Sequence, residues 1–289
     1  MLGAAHIADK ALLPALRSAR GAEVVAIASR DPQRAQSMAA RHGVPRVHDS
    51  YQALLADPEL DAVYIPLTND QHLPWTLRAL AAGKHVLCEK PMAMDAAGAE
   101  QMAAAAAESG LLLMEAFMYR FNPRIQELVA SLAGRRILHV AASFGFRLKD
   151  LGNYRAQPDL GGGALMDVGC YCIDVVRWLL GEPAEARAFV RSDAVDMTVS
   201  GILRFGSGAS ASIWASFESP ERQSLEVVTE NKVLRIEKPF TAMEPDDPYR
   251  LMVEEFSAAA LGGGPSPLPL KWSIANLRAI ELVRQAAGT

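Results

Sequence analysis

Short apolar runs and amphipathic helical patterns alternate along residues 1–120. The apolar runs predict buried strands at 24–29, 61–66, 85–88 and 111–117. The patterns between them predict helices at 32–42, 71–82 and 95–109. Strands that are separated by helices pair in parallel, so this segment is predicted to form a doubly wound α/β sheet.

The pattern changes after Asn122-Pro123. The next predicted elements are a helix, a strand and a long helix, at 124–132, 136–148 and 164–180. Five further strands are predicted in succession, at 185–191, 197–205, 209–217, 224–229 and 232–237. Successive strands without intervening helices predict an α+β domain with an open, mainly antiparallel sheet. The predicted division is a parallel-sheet domain at 1–120, this domain at 121–270, and a helix within 271–289 that packs back on the body.

Composition and charge exclude several classes of function. The chain has 289 residues, half of them apolar, and a net charge of −4. It contains no basic block, so nothing favours binding to nucleic acid or to an anionic membrane. No apolar run approaches the roughly 20 residues of a membrane-spanning helix. Residues 1–5 lack the pattern of a secretion signal, so we expect a cytoplasmic location.

The cysteines, Cys88, Cys170 and Cys172, are too few for a disulfide framework. Cys170 and Cys172 are two positions apart on a predicted helix and point to different faces, which argues against a metal site. We expect all three to be buried as small apolar residues, and we expect no bound metal.

The segment Gly3-Ala4-Ala5-His6-Ile7-Ala8 fits a G-x-A-x-x-A variant of the dinucleotide-binding fingerprint. The glycine permits a tight turn, and the helix that follows offers free N–H groups to a pyrophosphate. An alanine-rich helix start would give the same pattern. Only Met1 and Leu2 precede the glycine, so the first strand of the sheet is expected to be a stub. We expect the true start to lie upstream; the alternative is a compromised nucleotide domain.

The strand over 24–29 ends at Ser29-Arg30, where a site selective for NAD carries an acidic residue for the ribose diol. A hydroxyl and a guanidinium suit a 2′-phosphate instead, and Arg34 lies one helical turn further on. The alternative is a solvated arginine at a helix start. We therefore predict NADP rather than NAD as the cofactor.

Two further segments follow predicted strands and lie on the same rim of the sheet. After the strand over 61–66, Pro66, Leu67, Asn69 and His72 are predicted to contact the cofactor, Asn69 through ribose or phosphate oxygens. Helix capping by Asn69 or by its neighbour is the alternative.

The tripeptide Glu89-Lys90-Pro91 follows the strand over 85–88 and places a lysine at the same rim. Glu89 and Lys90 are predicted to lie at the cofactor, with Lys90 also in the chemistry. The Lys90–Pro91 bond is a candidate for the cis isomer.

A second polar constellation follows Gly161-Gly162-Gly163. Asp167, Tyr171 and Asp174 are spaced i, i+4 and i+7, so they are predicted to share one helical face. The glycines would let a nicotinamide or substrate approach the backbone. A tyrosine beside a lysine can shuttle a hydroxyl proton, because a nearby ammonium favours the phenolate. The alternatives are helix capping by Asp167 and a core position for Tyr171.

These residues resemble the Gfo/Idh/MocA (glucose–fructose oxidoreductase/inositol dehydrogenase) family over essentially the whole chain. The matching segments are 3–8, 28–32, 82–91 and 161–174. Many members carry histidine where this chain has Tyr171. Tyrosine there resembles the branch of dimeric dihydrodiol dehydrogenase, NADP-dependent D-xylose 1-dehydrogenase and glucose–fructose oxidoreductase.

The resemblance implies an N-terminal Rossmann domain and a C-terminal α/β domain whose open sheet often mediates dimerisation. It implies Lys90 and Tyr171 in the chemistry, with Asp167 in support. Arg120 and Arg155 match family-like stretches near the pocket, and they are candidate substrate contacts together with Asp174. The chain departs from the family in its reduced first strand and in a short stretch between residues 240 and 249.

The expected function is NADP-dependent hydride transfer at a secondary alcohol or carbonyl of a sugar, cyclic polyol or dihydrodiol. A homodimer or higher homo-oligomer is expected through the C-terminal sheet. The competing interpretation is a non-catalytic sensor that binds dinucleotide on the same fold. A third is a fragment that binds no cofactor.

Overall fold

The computed structural model describes residues 1–241 and 247–288. They group into two compact units, which are described separately. The first unit comprises residues 1–93, 97–122 and 247–273, and the second comprises 94–96, 123–241 and 274–288. The division differs from the expected one because residues 247–273 group with the N-terminal sheet. The stretch expected to be short includes residues 242–246, which lie outside the described residues.

The first unit contains parallel strands throughout its sheet. They are β1 (Ala26–Ala28), β2 (Arg46–His48), β3 (Ala62–Ile65), β4 (His85–Cys88) and β5 (Leu113–Glu115). Strand β1 pairs with β2, and β4 lies between β3 and β5. This arrangement confirms the predicted α/β class with a parallel Rossmann-type sheet.

The stub of the first strand lies between the two groups of strands. Leu2 forms a parallel bridge with Ala28 and donates its N–H to the carbonyl of Tyr64 at 3.0 Å. The N–H of Gly3 donates to the carbonyl of Ala28 at 2.7 Å. The stub therefore occupies the central position of the sheet, and Gly3 follows it at the carboxyl edge.

Helices connect these strands. They are a π-helical segment (Ala8–Leu12), α1 (Leu13–Leu16), α2 (Pro32–His42), α3 (Tyr51–Leu55), α4 (Asn69–Ala81), α5 (Ala96–Ser109), a 3₁₀ turn (Met118–Phe121) and α8 (Pro248–Gly262). Helix α2 shows why these boundaries arise. The Asp31 carboxylate accepts from the N–H of Arg34 at 3.0 Å, Pro32 starts the helix, and Gly43 ends it at φ 71°.

The second unit is built on a six-stranded sheet. Its strands are β6 (Ile137–Arg147), β7 (Pro183–Ser192), β8 (Asp196–Phe205), β9 (Ser210–Ser216), β10 (Glu218–Thr229) and β11 (Val233–Glu237). Their spatial order is β11-β10-β6-β9-β8-β7, and only the β6–β9 pair is parallel among these neighbours. The predicted mainly antiparallel sheet is therefore confirmed.

One face of this sheet packs against a helix and the other is open. The remaining elements are α6 (Pro123–Ser131), 3₁₀ turns (Tyr154–Ala156 and Pro158–Leu160), a π-helical segment (Leu165–Gly169), α7 (Cys170–Leu180) and α9 (Leu270–Ala287), which begins in the first unit. Helix α7 contacts β6 and β9. Alternate residues of β8, such as Val199 and Leu203, are buried, whereas Ile202 is half exposed.

Candidate functional site

The turn after the stub of the first strand requires glycine. Gly3 adopts φ 104°, a conformation that glycine tolerates and other residues avoid. A Cβ at this position would lie 2.7 Å from Cδ2 of Leu67. A helix begins at His6, with Ala4 and Ala8 buried beneath it. The predicted turn and helix start are both present, so the first N–H groups of the helix lie at the carboxyl edge of the sheet.

A cavity of about 260 Å³ lies beyond the carboxyl ends of β1 and β3. Ser29, Arg30 and Leu67, all predicted to contact the cofactor, contribute to its lining. The other lining residues are Asp49, Ser50, Tyr51, Gln52, Thr68, Gln71 and Trp75. Arg30 is exposed, so its guanidinium is accessible to an anion. Arg34 is exposed on α2 and does not line this cavity.

Two aromatic residues of this cavity were missed by the sequence analysis. Tyr51 packs edge-on against Trp75, with ring centroids 4.9 Å apart, and Arg78 lies 4.6 Å above the indole. Burial raises the pKa of the Tyr51 hydroxyl, and its interaction with Arg30 opposes that shift. Tyr51 was missed because it follows β2. That strand has three residues and a polar sequence, so no hydrophobic periodicity predicts it.

The segment that carries Lys90 leaves the sheet at the end of β4. The Lys90–Pro91 peptide bond is cis, and the Lys90 side chain is half-buried. The buried carboxylate of Glu89 accepts from the Tyr64 hydroxyl at 2.6 Å and from the N–H of Lys90 at 3.2 Å. Both oxygens of Glu89 thus accept hydrogen bonds within the protein.

His72 and Asn69 are both buried. The His72 side chain is 0% exposed, and its nitrogens lie 2.8 Å from the carbonyl of Pro91 and 3.1 Å from that of Leu67. It therefore cannot line the cavity as predicted. Asn69 is 3% exposed at the first position of α4. Thr68 is the N-cap residue and its side chain makes no capping hydrogen bond, so Asn69 does not hold the N-cap position.

In the second unit, Asp167 is engaged by an arginine. Nε of Arg155 donates to Oδ2 of Asp167 at 2.7 Å, and the Asp167 side chain is only 6% exposed. Asp167 raises the pKa of Arg155, so the guanidinium stays charged. Arg155 also lies 4.8 Å above the Tyr154 ring. Asp167, predicted to support the catalytic residues, is therefore bound to Arg155, a contact that the helical spacing did not indicate.

Tyr171 lies one turn after Asp167, between aromatic rings. Its ring centroid is 5.6 Å from that of Phe144 and 5.4 Å from that of Phe240. The residue is 7% exposed. These rings exclude most water from the tyrosine and hold its orientation.

Two of the glycines before this helix, Gly162 and Gly163, pack against other parts of the protein. The N–H of Gly162 donates to the carbonyl of Gln157 at 3.0 Å, and that of Gly163 donates to the carbonyl of Arg155 at 2.9 Å. A Cβ on Gly162 would lie 2.8 Å from the Gln157 oxygen, and one on Gly163 would overlap the Asp196 carboxylate. The glycines therefore admit the protein's own backbone, and they bring Arg155 to Asp167.

Asp174 is buried beside an arginine of the same helix. It is 2% exposed, and its Oδ1 lies 3.9 Å from Nη1 of the equally buried Arg177. Arg177 also donates to Glu182 at 2.6 Å and to Asn276 at 3.3 Å. The π-helical segment at Leu165–Gly169 changes the angle per residue, so a stripe drawn for a regular α-helix misplaces Asp167 relative to Tyr171 and Asp174, which both lie in α7.

Other candidates are accounted for within each unit. The buried Arg120 lies 5.2 Å from the Trp272 ring. All three cysteines are buried and free, and burial raises the pKa of Cys88 and Cys172. Within residues 1–241 and 247–288, no cluster of three or more potential metal ligands is found. Among the described helices, none combines the length and the apolar character that a bilayer crossing requires.

Comparison with known proteins places this geometry in a family. Residues 1–117 match the model described as "Oxidoreductase family, NAD-binding Rossmann fold", and residues 123–235 match the "GFO/IDH/MocA C-terminal domain". The D-xylose 1-dehydrogenase (NADP(+)) 2 of Haloferax volcanii is 38% identical over 316 residues, covering 100% of this chain and 97% of that protein. The mouse trans-1,2-dihydrobenzene-1,2-diol dehydrogenase is 38% identical over 206 residues, covering 68% of this chain and 61% of that protein.

Solved structures agree. A mutant of KijD10, a 3-ketoreductase from Actinomadura kijaniata in complex with TDP-benzene and NADP, is 33% identical with a TM-score of 0.89, covering 99% of this chain and 96% of that one. That mutant replaces a tyrosine by phenylalanine, and another solved mutant of KijD10 replaces a lysine by alanine. With both of its domains matched, the chain belongs to the GFO/IDH/MocA family of oxidoreductases.

Proposed function

We propose that this chain is an NADP-dependent oxidoreductase that acts on a secondary alcohol or carbonyl of a sugar, cyclic polyol or dihydrodiol. The observation that carries the cofactor choice is the cavity beyond β1 and β3. A hydroxyl and an accessible guanidinium, from Ser29 and Arg30, line it where an NAD site presents an acid. The turn at Gly3 supports a dinucleotide site, because its φ of 104° leads the chain into a helix whose first N–H groups can bind a pyrophosphate.

The proposed chemistry is hydride transfer coupled to proton transfer. When bound, the nicotinamide cofactor accepts or supplies the hydride. We assign Tyr171 as the group that takes the hydroxyl proton when the alcohol is oxidised and returns it when the carbonyl is reduced. Removal of the hydride and of this proton leaves a carbonyl, so the step is balanced by Tyr171 and the cofactor.

Lys90 and Asp167 are assigned to the support of that proton transfer. A phenolate in an apolar setting such as that of Tyr171 is unfavourable, and a positive charge compensates for it. We assign this charge to Lys90. Asp167 holds Arg155 in place through a hydrogen bond. Arg155 is a second cation, and its interaction with Tyr171 contributes to the raised pKa of the guanidinium. Solved structures of KijD10 include a mutant at a lysine and a mutant at a tyrosine, the same two residue types that we assign here.

The substrate class rests on the relatives. The names of two of them specify D-xylose and a dihydrodiol, and the third is a 3-ketoreductase. A steady-state screen tests the proposal, with aldoses, cyclic polyols and trans-dihydrodiols offered with NADP and with NAD. We expect turnover with NADP and at least one of these substrates. Tight NADPH binding without any turnover would favour the sensor, and no NADPH binding would favour a fragment that binds no cofactor.

We also propose that a second copy of the chain covers the open face of the C-terminal sheet. Phe189 on β7 is 84% exposed and Ile202 on β8 is 52% exposed, and both are on this face. These exposed apolar side chains support the dimerisation that the family resemblance implies. Light scattering after size exclusion tests this proposal. We expect a dimer for the unmodified chain and a monomer for Phe189→Glu, and an unmodified chain that is monomeric at all concentrations would refute the interface.

A further inference from the structure

A buried histidine joins two of the segments at the carboxyl edge of the N-terminal sheet. Leu67 belongs to the segment after β3, and Pro91 belongs to the segment after β4. The carbonyl oxygens of both residues face the ring of His72, at 3.1 Å from Nε2 and 2.8 Å from Nδ1. The ring is closed off from solvent, so neither carbonyl can exchange this contact for water.

The shorter of the two ring contacts is the one to Pro91. Burial lowers the pKa of His72, and Lys90 lowers it further, while Asp70 and the two carbonyls oppose the shift. Both ring nitrogens face a carbonyl oxygen, and an N–H at Nδ1 donates to that of Pro91 over 2.8 Å. This contact links His72 to the segment that carries Lys90.

Lys90 precedes Pro91 directly and is tied on its other side as well. Its own N–H donates to Glu89, whose carboxylate accepts from the Tyr64 hydroxyl. The main chain is therefore held immediately before and immediately after Lys90 by two buried side chains from different elements. Held ends of this kind limit the positions that the lysine side chain can reach.

We propose that His72 is a positioning residue for Lys90, acting through the bond to the Pro91 carbonyl. This inference rests on the proposed function of Lys90. His72 itself touches neither cofactor nor substrate, because its side chain is enclosed.

Two substitutions separate the hydrogen bond from simple packing. His72→Phe keeps a ring of similar size and removes both nitrogens, whereas His72→Gln keeps an N–H donor. His85→Phe is the matched control, since His85 begins β4 at the opposite end of the strand and its Nδ1 accepts from the N–H of Leu112 at 2.9 Å. Both variants lose ring contacts to backbone next to the same strand, but only His72 lies near Lys90.

Each variant is examined in three ways: by kcat and KM with NADP, by thermal melting, and by the rate at which Lys90 is acetylated by acetic anhydride, followed by mass spectrometry of the Lys90 peptide. For His72→Phe we expect kcat to fall about tenfold, because small misplacements of catalytic groups are costly. The KM for NADP should stay within about twofold. The acetylation rate of Lys90 should change at least about threefold, since its segment is freed. His72→Gln should lie between His72→Phe and the unmodified chain.

A double-mutant cycle completes the test. If His72 acts through Lys90, adding His72→Phe to Lys90→Ala should cause no further loss of kcat. Equal melting losses in His72→Phe and His85→Phe, with unchanged kcat and unchanged Lys90 acetylation, would overturn the inference. A Lys90→Ala variant with full turnover would instead refute the proposed function of Lys90, and the acetylation rate would still test His72. Should His72→Phe fail to fold, His72→Gln carries the same comparisons.

Discussion

Arg155 and Asp167 form a charge-assisted hydrogen bond of 2.7 Å from Nε to Oδ2. It joins the 3₁₀ turn at Tyr154–Ala156 to the π-helical segment that leads into α7. Glycines at 162 and 163 permit the close approach that this bond requires. The pair thus fixes the start of the helix that carries Tyr171, and it accounts for the polar character of an otherwise apolar segment.

Removal of this arginine should therefore destabilise the fold. In Arg155→Met, the nearly buried Asp167 carboxylate loses a charged donor, and we expect the free energy of unfolding to fall by about 2 kcal/mol. Arg155→Met combined with Asp167→Leu should recover most of that loss, because the unpaired charge is then gone. Urea denaturation of Arg155→Met, Asp167→Leu, the double variant and the unmodified chain measures both effects. A double variant less stable than either single one would argue against the pair as the cause.

Arg30→Ala should change cofactor selectivity. We expect the dissociation constant for NADP to rise about tenfold to a hundredfold, the cost of one charged contact. NAD has no 2′-phosphate, so its binding should change much less. Arg34→Ala is the comparison, because Arg34 is on the adjoining helix but outside the cavity lining, and it should affect NADP less. Fluorescence titration with both cofactors measures this, and equal losses for NADP and NAD in Arg30→Ala would contradict the assignment.

His72 should make folding stability depend on pH. Burial lowers its pKa in the folded chain, so the unfolded chain takes up a proton below about pH 6.5 that the folded chain refuses. Stability from this group is complete above that pH and is lost as the pH falls toward the folded pKa. His72→Gln should therefore lose less stability than the unmodified chain between pH 7.5 and pH 5.5. Urea denaturation at both pH values is the measurement, and identical losses would mean that His72 takes up protons equally in the folded and the unfolded chain.

Local signals in the sequence were sufficient for much of the fold. The strand at His85–Cys88, the cap at Asp31 and the mixed C-terminal sheet follow from apolar runs, a capping side chain and the absence of helices between strands. The position of Ser29 and Arg30 after β1 likewise follows from the strand end. These features depend on neighbours in sequence, which a single chain displays.

Contacts between distant segments could not be predicted in the same way. The residue that donates to Asp167, Arg155, lies 12 positions away across a glycine loop. The ring of His72 contacts backbone carbonyls from two different loops. The π-helical segment before α7 changed the position of Asp167 relative to Tyr171 and Asp174, and no residue pattern marks such a segment. The sequence was therefore enough to single out unusual polar residues in the predicted helices. The residues that they contact could be identified only from the structure.

The most direct test of the central claim is the single-turnover rate of hydride transfer in Tyr171→Phe. The change removes one hydroxyl and keeps the ring that packs against Phe144 and Phe240. Loss of the proton-transfer group should lower the rate by about a hundredfold or more, with NADP affinity and melting temperature close to those of the unmodified chain. A Tyr171→Phe variant that transfers hydride at the unmodified rate would contradict the account.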